Sequence, residues 1–369
     1  MRRARALVLA TAVLVVVVGS AGPAGAHSLT GTQATNYETR IFGIAPHYAG
    51  VTVKVLDLGG RIELRNTSGH EVEVLGYQGE PYLEVGPSGV LRNRRSPATF
   101  LNQTKFVIPG PIPASYDAKA APVWQRLSTG RTVSWHDHRT HWMLTTAPPI
   151  VQRNPDERHV IIPHWVVPLR VDGQPVALTG EVLWVPGPSP WPWLLLVVAA
   201  LLAVIGVSFT RVARPGVAVA LTVGGISAAG LAIGAWRYST GSLPAHLGTT
   251  VYESGAVVLV GITVVLLARK RRFYDVSPLM LFTGVVLAIG AGLANVTSLW
   301  RSQLPTMLSN GLARLLIALC VGVGVGVVVV AALNLGRRDP TRRRNAAGAR
   351  VVPPVPATPV ASIPEEQVL

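Results

Sequence analysis

The chain has one cysteine, Cys320, among 369 residues, so no disulfide can join two of its own parts. Any exported portion must hold together through its core alone. Charge is also scarce. Only 14% of residues are Asp, Glu, Lys or Arg, against 49% hydrophobic, which is too apolar for one soluble domain and points to the membrane class. Acidic residues are the rarer sign, 18 against 33 basic, for a net charge of +15. Such an excess suggests a nucleic-acid partner when it forms one basic face. Here much of it sits in short clusters beside apolar segments, which membrane topology explains more simply, so no nucleic acid is expected. Enzyme signatures are missing too. No Gly-x-Ser-x-Gly elbow occurs and the lone thiol falls in an apolar run, so no enzymatic activity is expected. Gly322-Val-Gly-Val-Gly is not a phosphate loop, because nothing inside an apolar span could hold a charged nucleotide. Small residues at that spacing suit helix packing instead.

What is present divides the chain. Arg2, Arg3 and Arg5 precede the apolar run Leu7 to Val18, and Ala24-Gly25-Ala26 follows. That order predicts a signal peptide over 1–26, with cleavage leaving His27 as the first mature residue. Residues 27–190 read as an extracytoplasmic all-β domain. Val51-Thr-Val-Lys-Val-Leu alternates apolar and polar, Arg61-Ile-Glu-Leu-Arg follows Gly59-Gly60, and Glu71-Val-Glu-Val-Leu follows Ser68-Gly69. Thr132-Val-Ser-Trp is a further strand. His159 to Leu169 and Val176 to Val185 flank Asp172-Gly173 as a closing hairpin. Short strands with turn signals favour an immunoglobulin-like β-sandwich. Pro81 to Val123, rich in proline and polar residues, is expected to wander over its surface.

Residues 191–336 are expected to form an α-helical five-span transmembrane domain. Its spans fall near 193–210, 216–235, 249–268, 278–299 and 311–335, each approaching or reaching the roughly 20 residues that cross the hydrocarbon. Arg211 and Arg214, then Arg269-Lys-Arg-Arg272, then Arg337, Arg338 and Arg342 to Arg344 mark alternate ends. The positive-inside rule assigns those ends to the cytoplasm and leaves the β domain outside, as the signal peptide requires independently. The cell membrane is therefore the expected location, with the lipid bilayer as the first partner. Residues 337–369 read as a disordered basic, Pro-rich cytoplasmic tail. Glu253 and Arg314 fall near outer span ends, where they pair or snorkel to the interface.

The densest chemistry is Trp135-His-Asp-His-Arg-Thr-His-Trp142-Met143, which sets three imidazoles and a carboxylate within six residues. If the strand continues through His138, His136 and His138 share a face, because side chains alternate. Two imidazoles so placed, with His141 joining after a turn, suit Cu(II), Zn(II) or Ni(II). Asp137 then orients an imidazole from behind. A mature His27 would add its amine and ring to one ion, and with one His of the cluster would form a histidine brace, a copper arrangement.

The layout resembles CopC-type bacterial copper-binding proteins, which share the signal peptide ending in Ala, a mature His and a β-sandwich, and Thr132-Val-Ser-Trp135 is similar to one of their strands. There an Asp-x-His ligand pair follows. Here His136-Asp137-His138 comes directly after the Trp, and Met-rich copper(I) stretches are lacking. The chain looks more like a group of actinobacterial membrane proteins with a Trp-His-Asp-His-Arg-x-His-Trp motif, a resemblance that implies an architecture and no activity. Two functions stay open. In one, His136, His138, His141 and His27 handle an extracytoplasmic metal ion, copper favoured. In the other, the ectodomain is a structural or interaction module for an envelope protein partner, and the His-Asp-His-Arg segment is a hydrogen-bonded clasp.

Overall fold

The computed structural model describes residues 32–239, 247–269 and 273–335. The expected signal peptide, His27, His246 and the tail lie outside the described residues. An antiparallel β region comes first and a helical part follows.

The strands are β1 (Tyr37–Ala45), β2 (Val51–Leu56), β3 (Arg61–Asn66), β4 (Val72–Leu75), β5 (Pro81–Gly86), β6 (Gly89–Asn93), β7 (Trp124–Ser128), β8 (Thr132–Trp135), β9 (His159–Val171) and β10 (Gln174–Trp184). One sheet runs β1-β10-β9-β4-β5-β6-β7 and the other β2-β3-β8. Alternation explains the smaller sheet: β3 turns Ile62 and Leu64 inward, each fully buried, while β8 does the same with Val133 and Trp135. These side chains join Val72, Val85 and Leu169 of the larger sheet in one apolar cluster, so both sheets share a core. Each such aliphatic side chain taken from water contributes about 1.5–3 kcal/mol. Asn66 crosses between the sheets. Its buried amide donates to the Val85 carbonyl at 2.7 Å and to that of His70 at 2.8 Å.

Asp172 and Gly173 both take positive φ, 47° and 80°, as the two-residue turn between β9 and β10 needs. The stretch from Pro81 to Val123 departs from the expected wandering loop. It opens with a tight hairpin, β5 to β6, whose Leu83, Val85 and Val90 are buried, and continues into a short helix α1 (Pro97–Leu101). Proline is tolerated at the first residue of a strand, so Pro81 does not break it. Besides β5 and β6, two further strands were not expected, and both lie at sheet edges. β1 carries a register shift between Ile41 and Gly43 that breaks its alternation, and β7 is mostly exposed. A second short helix, α2 (Pro149–Arg153), precedes β9.

The helical part comprises α3 (Trp191–Val207), α4 (Ala213–Ser239), α5 (Leu247–Ala268), α6 (Phe273–Val285) and α7 (Asn310–Leu335). Beyond α6 the helix changes gauge, to a π stretch over Val286–Gly292 and a 3₁₀ stretch over Leu293–Leu299. Among the described residues, four helical segments are long and apolar enough to cross a membrane: Ala213–Tyr238, Thr250–Ala268, Asp275–Leu299 and Asn310–Leu335. The helix Trp191–Val207 is shorter, at 17 residues. The last span is the most buried of the four, and its glycines are the reason. Gly322 faces the backbone of Val197, and Gly324 faces Gly284 and Ala288, close enough that no side chain fits between.

Four backbone and side-chain bonds tie the β region to the loop between α6 and α7. Thr35 and Gln303 exchange bonds of 2.9 and 2.8 Å. The Ser302 amide donates to the Asn36 side chain at 2.9 Å, and the Ser302 hydroxyl to the Val185 carbonyl at 2.7 Å.

Candidate functional site

β8 pairs with β3 through Trp135 opposite Ile62, and there it stops. The chain leaves the sheet because Asp137 turns inward. Its carboxylate is fully buried and accepts from the Trp135 indole at 3.0 Å, the Arg139 amide at 3.1 Å, and Arg139 Nε and Nη2 at 2.8 and 2.7 Å. The last two bonds form a fork-to-fork pair, the strong geometry for guanidinium and carboxylate. The Thr140 amide and hydroxyl both donate to the Asp137 carbonyl, at 3.0 and 2.9 Å, and close the turn. His136 and His138 therefore do not extend the strand as a shared face.

The segment reaches four other parts of the β region. Arg139 donates to the carbonyls of Leu75 at 3.1 Å and Gly76 at 3.4 Å, in the turn between β4 and β5, and its guanidinium lies 4.8 Å from the Tyr77 ring centre. The His138 amide donates to the Tyr77 hydroxyl at 3.0 Å. Thr39 of β1 donates its hydroxyl to the Thr140 carbonyl at 3.0 Å. Each imidazole meets a different carbonyl: His136 Nδ1 that of Gly60 at 2.6 Å, His138 Nε2 that of Thr104 at 3.0 Å, and His141 Nε2 that of Lys105 at 2.7 Å. A carbonyl only accepts, so each contacting nitrogen carries the proton and the other nitrogen of a neutral ring keeps its lone pair. The rings of His138 and His141 lie edge to face, 5.7 Å between centres. His141 Nδ1 is buried with no hydrogen-bond partner.

Electrostatics oppose a charged ring here. Burial pushes the His141 pKa down to about 4, and it lowers that of His136 too. Lys105 adds its own charge against both rings. Burial in turn lowers the Lys105 pKa, with Asp57 opposing that shift. Asp57 receives Arg61 Nε at 2.5 Å. It starts the turn from β2 to β3, where Asp57 and Leu58 hold positive φ of 51° and 53°. Leucine rarely takes that conformation, which marks the turn as constrained by its surroundings. The constraint has a visible use, since the Leu58 amide donates to the Tyr238 hydroxyl at 3.1 Å. The His segment thus sits one residue contact away from the end of α4, at the base of the β region.

His136, His138 and His141 are brought to one region but not to one point. Among the described residues, no group of three His, Cys, Asp or Glu side chains is arranged to hold a metal ion. Asp137 serves Trp135 and Arg139 rather than an imidazole. His70 pairs with Asp172 at 2.6 Å, His159 meets the Asn154 carbonyl at 2.7 Å, and His164 stacks on Phe42, all away from the segment. Lys105, Asp57, Tyr77 and Tyr238 were not anticipated. No local pattern marks them, because Lys105, Asp57 and Tyr77 each lie 30 or more residues from the segment they act on, and Tyr238 reaches the neighbouring turn at Leu58. Comparisons with protein-family models, curated proteins and solved structures give no match to this chain.

Proposed function

We propose that this chain is an integral membrane protein that displays a structural or interaction β-sandwich domain outside the cell, and that Trp135 to Met143 is the clasp that locks that domain. The buried Asp137–Arg139 pair carries this reading. The pair holds the end of β8 to the β4–β5 turn, and His138 and His141 fasten the same segment to the carbonyls of Thr104 and Lys105. Two sheets with one shared core support the sandwich. The apolar helix Trp191–Val207 supports a fifth span, because its 17 residues rise about 26 Å and stand at the lower limit for crossing. Arginines at alternate helix ends support a cytoplasmic C-terminus. A reporter fused after Arg344 is expected to be active in the cytoplasm, and activity outside would reverse the topology.

A copper site is the second reading, and the bare His141 Nδ1 beside His138 is the observation in its favour. A metal-bound His usually donates its other N–H to a carbonyl, as both of these rings do. The mature His27 would have to complete the set. The Lys105 charge works against it. Titration of the full-length mature protein with Cu(II) separates the two. The clasp reading expects no micromolar binding that depends on the cluster, and a large fall in melting temperature when His136 and His138 become Ala. Micromolar binding that the double variant loses would establish the metal instead.

A further inference from the structure

Glu253 is the one acidic residue in the apolar stretch of α5. An end-of-span carboxylate is expected to snorkel or to meet Arg314. Instead it is 1% exposed. One oxygen accepts from the Asn295 amide at 3.1 Å, and the other, Oε2, has no hydrogen-bond partner. Arg314 sends its guanidinium elsewhere, to the carbonyls of Ser298 at 3.0 Å and Arg301 at 2.7 Å. An ionised carboxylate inside an apolar bundle, with a single neutral donor, is costly. A cation removes that cost.

The surroundings provide room for a small one. Glu253 lines a cavity of about 20 Å³ with Asn295, Ser298, Leu304, Pro305 and Thr306, enough to admit one water. A second cavity shares Asn295, Ser298 and Pro305 and extends to Thr32, Gln33 and Ala34, just before β1. The two cavities are neighbours through those shared residues, and Leu231, Ala235, Leu304, Ala313 and Ile317 supply the apolar remainder of the wall around Glu253. Asn295 stands in the 3₁₀ stretch that follows the π stretch, and it also donates to the Ala291 carbonyl at 3.1 Å. Irregular helix of this kind recurs at functional sites, because it frees backbone groups to face a ligand.

The other groups facing Glu253 leave it as the acceptor. From α7 come the Cys320 thiol, which donates weakly to the Gly224 carbonyl at 3.8 Å, and Arg314, engaged as described. α4 contributes the apolar Leu231 and Ala235, with Arg237 and Tyr238 beyond them at the helix end. The loop at 304–306 brings no titratable side chain. We propose that Glu253 is a proton-binding site in the helical part, loaded by water through these cavities from the side that carries the β region. A cavity for one water, with few oxygens around the carboxylate, suits a proton better than a metal cation, which needs a fuller oxygen shell.

Treatment of the full chain in lipid nanodiscs with dicyclohexylcarbodiimide, followed by peptide mapping, tests this. The reagent is apolar, and a protonated carboxyl adds across one of its C=N bonds, the proton going to nitrogen and the carboxyl oxygen to the central carbon, with rearrangement to a stable N-acylurea. Glu253 is expected to take the adduct, with yield rising as pH falls and unchanged by added sodium. Glu253→Gln is expected to lose it. Absence of an adduct at every pH would overturn the proposal, and so would protection by sodium at constant pH, which would assign the site to a metal cation. Infrared difference spectra of the unaltered protein keep the test independent of how the variant folds. A carbonyl band of an undissociated, buried carboxyl must disappear at high pH, and its absence at low pH would count against the proposal as firmly.

Discussion

Asp137 has no exposed atom surface to speak of, yet it is charged-paired, so its removal is felt through what it leaves behind. In Asp137→Asn the Arg139 guanidinium keeps its burial and loses its counter-charge. Breaking a buried pair in this way costs about 3–5 kcal/mol, which should appear as a large drop in melting temperature of the detergent-solubilised protein. An unchanged melt would remove the clasp. His141 predicts a pH dependence. Its pKa is about 4 in the fold against an ordinary 6.5. Above pH 6.5 neither folded nor unfolded chain binds the proton, and the full contribution is present. Between 6.5 and 4 the unfolded chain takes a proton that the folded one refuses, and stability falls by ~3 kcal/mol, with no further loss below 4. His136 acts in the same direction. Melting temperatures across that window should decline, and His141→Gln should flatten the decline. Leu58 offers the opposite sign. With φ at 53°, Leu58→Gly relieves backbone strain of order 1 kcal/mol. The variant should melt no lower than the parent in the same assay.

At the scale of elements, the strands most legible in sequence were those with one face in the core. β2, β3, β4 and β8 alternate cleanly, and β9 and β10 announce their turn with Asp172-Gly173. β1 and β7 were not legible, since an edge strand with a bulge or an exposed face has no reason to alternate, and β5 and β6 were masked by the proline- and polar-rich stretch they open, although Leu83, Val85 and Val90 are buried. The π and 3₁₀ stretches after α6 were invisible too. Their residues are as apolar as any span, and the gauge of the helix is decided by what packs on it. Gly324 is the contact in question: a Cβ there would come within 2.6–2.9 Å of Ala288 and Gly284 backbone atoms. Gly324→Val is therefore expected to separate α7 from the π stretch and destabilise the helical part, read as loss of monodisperse protein on size exclusion in mild detergent. Gly255→Ala, where a Cβ meets open space, should leave the profile unchanged.

For the molecule as a whole, the joint between β region and helical part includes hydrogen bonds from two places on the helical side. Ser302 and Gln303 hold the residues before β1, and Tyr238 holds the turn at Leu58. Tyr238→Phe should release the Leu58 amide, so that hydrogen exchange of peptides covering 57–60 quickens while β9 and β10 stay protected. Equal exchange in both proteins would mean that the turn is held by other contacts.

Composition and periodicity alone determined the order of the molecule, an antiparallel β region followed by apolar helices, because burial and hydrocarbon length are written in local runs of residue type. They also singled out Trp135 to Met143, since dense imidazole is rare wherever it falls. What the segment does was decided by tertiary structure. The partners of its histidines are the carbonyls of Gly60, Thr104 and Lys105, and a backbone carbonyl has no sequence signature. The cavity at Glu253 is of the same kind, formed between four helical segments and a loop, where only packing decides whether a lone carboxylate meets a cation, an amide or nothing.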